Sequence, residues 1–226
     1  MKANTFLLLG LAWILSGAMW RGANVLPTEK DDILYMLEEE KMARDVYLAM
    51  ESKWGATVFD HISGSEQTHM DLMLGLAKDL NLKIPATVQY DEPGIFTNKD
   101  LQKLYNELVA TGTQSLVDAF KAGAKIEEID IRDLQVALLN TKNEQIISVY
   151  ERLLRASENH LRAFTRNLKA QGVDYKPVIM TSGDFDKIIA ENNVKGKGNQ
   201  GACGDNAGKN GKGKGKQKGS CCAGSK

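Results

Sequence analysis

Glu66 and His69 are three residues apart, a spacing that turns both side chains to one side of an α-helix. Carboxylate oxygens and imidazole nitrogens together suit iron, manganese or zinc. Three other segments carry residues of the same kinds: Glu40, Glu127 with Asp130, and His160. Each interrupts an apolar stripe of helical period. Glu40 falls among Ile33, Met36 or Leu37, Ala43, Tyr47 and Met50, and the Glu66/His69 pair among Phe59, Ile62, Met73 and Leu76. Glu127 falls among Phe120, Ala124, Ile131, Leu134 and Leu138. Ser157 and His160 fall among Ile146, Tyr150, Leu153, Phe164 and Leu168. A carboxylate facing a core alone is costly, and several together repel one another. A divalent cation at their meeting point offsets both penalties. The expected chemistry is therefore metal binding by Glu40, Glu66, His69, Glu127, Asp130 and His160.

Singly, each residue has an ordinary explanation. Glu40 sits beside Glu38 and Glu39 and reads alone as part of a solvated face. His69 reads as a core histidine, and Glu127 as an ion-pair partner of Arg132 or Arg162. Tyr47 and Tyr150 read as core packing with a hydrogen-bonded hydroxyl, and His61, off the stripe, as a surface residue. Agreement in phase across four helices is what favours a shared cation. If the phase of the third helix were one residue off, Glu128 would replace Glu127.

The elements that position these residues are helices. The four prolines, Pro27, Pro85, Pro93 and Pro177, bracket two proline-free blocks whose apolar residues recur at three–four spacing. Long helices are predicted over about 29–53 (capped by Thr28), 57–81, 115–139 with a bend at Gly123, and 144–170. Short ones are predicted over about 98–110 and 184–190, and a loop containing Pro85 and Pro93 follows the 57–81 helix. Gly55 and Gly172 mark breaks. Two helical hairpins joined by a connection of some 30 residues predict an all-α fold: a ferritin-like four-helix bundle with a long crossover between its second and third helices. Counting from the Gly55 turn places Glu40 and His69 level with each other. Counting from the turn near residue 141 places Glu127 level with Ser157, and His160 one turn further out.

The motifs Glu40-x-x-Ala43-Arg44-x-x-Tyr47, Ser65-Glu66-x-x-His69 and Ser157-x-x-His160 resemble rubrerythrin-type ferritin-like proteins. Longer stretches are more specific: Glu39-Glu40-Lys41-x-Ala43-Arg44-Asp45-Val46-Tyr47, Ser65-Glu66-Gln67-x-His69-Met70-Asp71, Ile126-Glu127-Glu128-x-Asp130-Ile131-x-Asp133-Leu134 and Ser157-x-Asn159-His160-Leu161-Arg162-Ala163-Phe164. These resemble the family known as domain of unknown function 2202, over about residues 29–190. That family is defined by sequence, so the resemblance carries no activity with it. The rubrerythrin pattern has Glu-x-x-His on its last long helix, whereas Ser157 holds the Glu position here. With one carboxylate missing, the site is expected to hold two ions loosely, or one. The expected cofactor is iron, with manganese or zinc as alternatives, and Glu66 or Glu127 as the bridge.

Composition separates an acidic body from a basic tail. The chain of 226 residues has 29 Lys+Arg and 29 Asp+Glu, but residues 195–226 hold eight Lys and one Asp. That tail has ten Gly and no aromatic, Val, Ile or Leu, so disorder is expected. Its functional option is a basic arm for an acidic surface. All three cysteines, Cys203, Cys221 and Cys222, fall in it, which excludes a disulfide scaffold for the body. The first 23 residues read as an export signal or N-terminal anchor: Lys2, then the apolar run Phe6–Leu15, then Ser16-Gly17-Ala18. The bundle is assigned to 24–194, and an extracytoplasmic location follows.

The acidic body excludes specific nucleic-acid binding by a broad basic face. The partners expected are a small-molecule oxidant or ferrous iron, and a homodimer is compatible with the sequence. Reductive removal of peroxide and oxidation of ferrous iron both fit, with an external reductant, since the body has no cysteine. The competing readings are a metal-holding or structural bundle without turnover, and surface attachment through the tail.

Overall fold

The computed structural model describes residues 27–195. The expected signal or anchor and the Gly/Lys-rich tail with its cysteines lie outside the described residues. Within them there are seven helices and no strand. In chain order they are α1 (Pro27–Trp54), α2 (Thr57–Asp79), α3 (Ala86–Gln89), α4 (Lys99–Gly112), α5 (Leu116–Asn140), α6 (Glu144–Ala170) and α7 (Ser182–Lys195). None of them is long and apolar enough to cross a membrane.

The four long helices form two hairpins, α1/α2 and α5/α6, and α1 also packs on α5 while α2 packs on α6. The first hairpin turns at Gly55, whose φ of +62° belongs to the left-handed region that favours glycine. Side-chain caps set several helix starts. Asn98 accepts from the amides of Asp100 and Leu101, Ser115 from Asp118, and Asn143 from Gln145 and Ile146. Each cap satisfies amides that have no partner inside the helix. The first helix starts two residues earlier than a Thr28 cap would place it, with Pro27 in its first turn, where a missing N–H costs nothing. The crossover, expected to be a loop, contains the single turn α3 directly after Pro85, and α7 runs longer than expected. Gly123, expected to bend α5, instead makes a close contact: a Cβ there would lie 2.5 Å from the Phe164 ring.

The core is split into two apolar clusters. One, toward the Gly55 turn, is built on Met42, Val46, Tyr47, Phe59, Phe120 and Phe164. The other is built on Ile33, Leu37, Met73, Leu134, Ile146 and Leu153. Positions 40, 66, 69, 127, 130, 157 and 160 form a polar layer between them, buried throughout. The layer is thus set by sequence spacing along each helix, and the two clusters seal it on both sides.

Helices α1 and α5 are buried far beyond a single stripe. Every residue from Met36 to Tyr47 is buried, including Glu38, Glu39, Lys41, Arg44 and Asp45. The ordinary explanation of Glu40 taken singly, a solvated face shared with Glu38 and Glu39, does not hold: all three are buried, and the crossover and α5 pack on α1. Glu38 accepts from the amides of Thr97 and Asn98 at 2.6 and 2.9 Å and from the Thr87 hydroxyl at 2.7 Å. Lys41, fully buried, donates to Asp45 at 2.7 Å and to the Glu92 carbonyl. Arg44 reaches Asp45, Gln67 and Asp91, and Asp45 also accepts from the Gly94 amide at 2.8 Å. These side chains fasten the crossover to α1.

Candidate metal centre

Two groups of three converge in the polar layer: Glu40, Glu66 and His69, and Glu66, Glu127 and His160. In each, one donor atom per residue lies within 4.8 Å of the others. Glu66 belongs to both. Its Oε2 is 2.6 Å from His69 Nδ1, and its Oε1 is 2.8 Å from His160 Nδ1. Glu40 Oε2 lies 3.3 Å from His69 Nδ1, and Glu127 Oε2 lies 3.5 Å from His160 Nδ1. Four different helices therefore deliver five ligand-type side chains to one place. The level pairing of Glu40 with His69 predicted by counting from Gly55 is seen directly. His160, expected one turn too far out, nevertheless lies 3.5 Å from Glu127.

The two imidazole rings stack with centroids 5.6 Å apart. Each turns Nδ1 toward the carboxylates and Nε2 toward the Ser65 hydroxyl, at 3.0 Å from His160 and 3.5 Å from His69. Ser65 belongs to the Ser65-Glu66-x-x-His69 motif but, one residue before the inward Glu66, is not among the expected ligands. The signal available was its spacing of four from His69. Tyr47 donates a short hydrogen bond to Glu127, so its hydroxyl is partnered by a candidate ligand. Tyr150 differs from expectation: its buried hydroxyl has no hydrogen-bond partner.

Asp130 stands outside both groups of three. It is buried and receives a short hydrogen bond from Ser157, while its Oδ1 has no partner. The Ser157 hydroxyl of α6 is thus spent on the carboxylate of α5. Glu128 does not approach the centre. It is fully buried and accepts from the Tyr175 hydroxyl and from the amides of Val178, Ile179 and Met180. Arg132 pairs with Asp133, and Arg162 holds the Ile188 carbonyl and Asn159. Both are engaged elsewhere than at Glu127. His61 is exposed, as expected.

Burial and mutual proximity shift the acids and imidazoles of the cluster in opposing ways. Burial pushes Glu40 up to about 8, against the pull of His69. Burial also raises Glu127 and raises Asp130 well above its ordinary value, the latter reinforced by Glu40 and Glu127. Burial acts to lower both histidines, but their carboxylate neighbours prevail and raise His69 to about 11 and His160 to about 10. Burial likewise acts to raise Glu66, yet the two imidazolium groups hold it below the usual carboxylate range. The shifts favour protons on the imidazoles and on the raised carboxylates, the part a cation would otherwise take. Glu40 Oε1 and His160 Nδ1 remain buried without a hydrogen-bond partner, although the latter lies close to Glu66. Orphaned donor atoms of this kind cost stability and fit a ligand set of oxygens and nitrogens for iron, manganese or zinc.

Comparison with known proteins is consistent over the same region. Residues 29–192 match the family described as "Uncharacterized protein domain (DUF2202)". "Uncharacterized protein MJ0754" of Methanocaldococcus jannaschii is 44% identical over 168 residues, covering 74% of this chain and 90% of that protein. The crystal structure of hypothetical protein MJ0754 from Methanococcus jannaschii superposes with a TM-score of 0.71 at 42% identity, covering 73% of this chain and 93% of the other.

Proposed function

The chain belongs to the DUF2202 family, and on that premise we propose that its bundle is a ferritin-like di-iron carboxylate protein that reacts with peroxide or dioxygen, or oxidises ferrous iron. The observation that carries the reading is Glu66, whose two oxygens each face a different imidazole within 2.8 Å. A carboxylate so placed is suited to bridge two ions. Glu40, Glu66 and His69 would hold one, and Glu66, Glu127 and His160 the other. When bound, iron supplies the electron transfer to the small oxidant.

The chain's own residues do the rest. Ser65 holds the two imidazole rings with Nδ1 inward, fixing which nitrogen is offered. Tyr47, kept protonated by burial and by Glu127, donates to Glu127 and orients it. The Phe59, Phe120, Phe164 and Tyr47 rings exclude water from one side. Asp130 stands beside the pair as a further carboxylate that can exchange its Ser157 hydrogen bond for a ligand role. The apolar run Phe6–Leu15 supports placing this chemistry outside the cytoplasm.

The test is anaerobic ferrous loading of the full chain, elemental analysis, and the absorption spectrum on adding peroxide. The expected result is about two irons per chain, as bundle-core di-metal sites hold, with a peroxide-dependent spectral change. Less than one iron and no change would defeat the proposal. The Ser157–Asp130 contact favours a second reading, a bundle that holds metal without turnover. Stoichiometric iron with a spectrum indifferent to peroxide would select it.

A further inference from the structure

A cavity of about 570 Å³ opens between α4, α5 and the segment that follows α6, well apart from the polar layer in composition. Its apolar surface comes from Leu108, Ala122, Val173, Tyr175 and Val178. Val178 is 63% exposed, an apolar side chain left to water at the rim. The volume is within the range that takes a small molecule. The wall is firmly built. Glu128, with no exposure of its own, accepts from the Tyr175 hydroxyl and the Val178 amide. One buried carboxylate thereby fixes both aromatic and aliphatic sides of the opening.

The rim charges are unequal. Glu107 is paired with Lys103, Asp174 with Lys169 at 2.5 Å, and Lys121 with Asp118 at 3.3 Å. Lys125 and Lys176 also line the cavity, and neither has an ion-pair partner among the described residues. Lys176 also acts on the Asp174 carboxyl, so three lysines stand against two carboxylates in the lining. An apolar floor under that net positive rim is complementary to a molecule with an apolar body and an anionic head. We propose that this cavity binds an amphipathic carboxylate, a medium-chain fatty acid in chemical class, with the chain against Leu108, Ala122 and Tyr175 and the head between Lys125 and Lys176. The Lys stems add to the apolar wall while their charges reach the head.

The proposal does not depend on metal binding. Titration calorimetry of the full chain with decanoate, and in parallel with decanol, tests it. Decanoate should bind at one site and decanol at least tenfold more weakly. The double variant Lys125→Glu, Lys176→Glu should weaken decanoate at least tenfold and leave decanol little changed. Thr111→Trp, at an exposed position on the cavity wall, should weaken both ligands by filling space, with an unchanged melting temperature showing that the fold is intact. No decanoate binding up to its solubility, equal binding of acid and alcohol, or decanoate binding indifferent to both variants would overturn it.

Discussion

Helix α1 carries two buried ionic clusters on neighbouring faces, and they solve the same problem in opposite ways. Lys41 and Arg44, with Asp45 and the crossover's Asp91, are a balanced set of two cations and two carboxylates. The 2.7 Å Lys41–Asp45 pair and the 2.8 Å Arg44–Asp45 pair bring their own counter-charges and spend the remaining donors on the crossover. Among the described residues, no Lys or Arg pairs with Glu40, Glu66, Glu127 or Asp130. Only His69 and His160 stand against them. A balanced cluster is structural: it locks a segment in place. An unbalanced one in the same helix is a vacancy in charge that a proton or a metal must fill. The contrast separates a clamp from a candidate centre without reference to any relative.

Breaking each cluster should give different outcomes. The largest effect expected is Glu66→Ala, which removes the shared ligand. Iron affinity should fall on the order of 100-fold or more, beyond the loss typical of residues that merely support ligands. Elemental analysis after desalting checks it. Next comes Asp45→Ala, which strands Lys41 as a buried charge. Breaking a buried pair in this way costs about 3–5 kcal/mol, measurable by urea denaturation. Iron content per folded chain should be unchanged. If Asp45→Ala lost iron as readily as Glu66→Ala, the division into clamp and centre would fail.

Two smaller effects sharpen the comparison. Tyr47→Phe removes the donor to Glu127 but no ligand. Iron affinity should drop about tenfold, with iron still bound at saturation. Gly123→Ala pushes a methyl into the Phe164 ring that covers the centre. Overpacking of this sort costs about 1–3 kcal/mol, read as a shift in the denaturation midpoint.

The unbalanced cluster should also give metal-free protein an unusual pH dependence. His69 and His160 rise from their ordinary 6.5 to about 11 and about 10. They bind protons more tightly folded than unfolded, so their stabilisation is complete below 6.5 and is lost as pH rises through the folded values. Glu40, raised from 4.5 to about 8, acts in the same sense. Glu66, held low, acts the opposite way and only on the acid side. Stability of metal-free protein should therefore decline between pH 7 and pH 10. Bound metal replaces the protons and should flatten that decline, and metal affinity itself should rise with pH. Denaturation curves across that range with and without a divalent ion check both. A flat metal-free profile would count against protons filling the cluster.

Much of this was legible before any coordinates. The three–four periodicity found all four long helices, and α6 begins and ends where spacing and the Gly172 stop placed it. The inward positions of Glu40, Glu66, His69, Glu127 and His160 followed from stripe phase, and counting from the Gly55 turn levelled Glu40 with His69, whereas counting on the other hairpin put His160 one turn out. Less legible were the roles of their immediate neighbours. Glu38, Glu39 and Lys41 look like a solvated run because periodicity speaks only for the face that meets the other long helices. It is blind to a crossover folded over the outer side. Glu128 and Glu127 are adjacent and chemically identical, yet one faces the polar layer and the other holds residues 175–180.

Helix content, hairpin pairing and the depth of the polar layer depend on local spacing, and the amino-acid order alone determined them. Which carboxylates are compensated, and by what, depends on segments distant in the chain coming together: Ser157 on Asp130, Tyr47 on Glu127, the crossover on Lys41 and Arg44. Charge neutralisation acts through space over a few ångströms, so only the packed structure decides which buried acids are already satisfied and which still call for a cation.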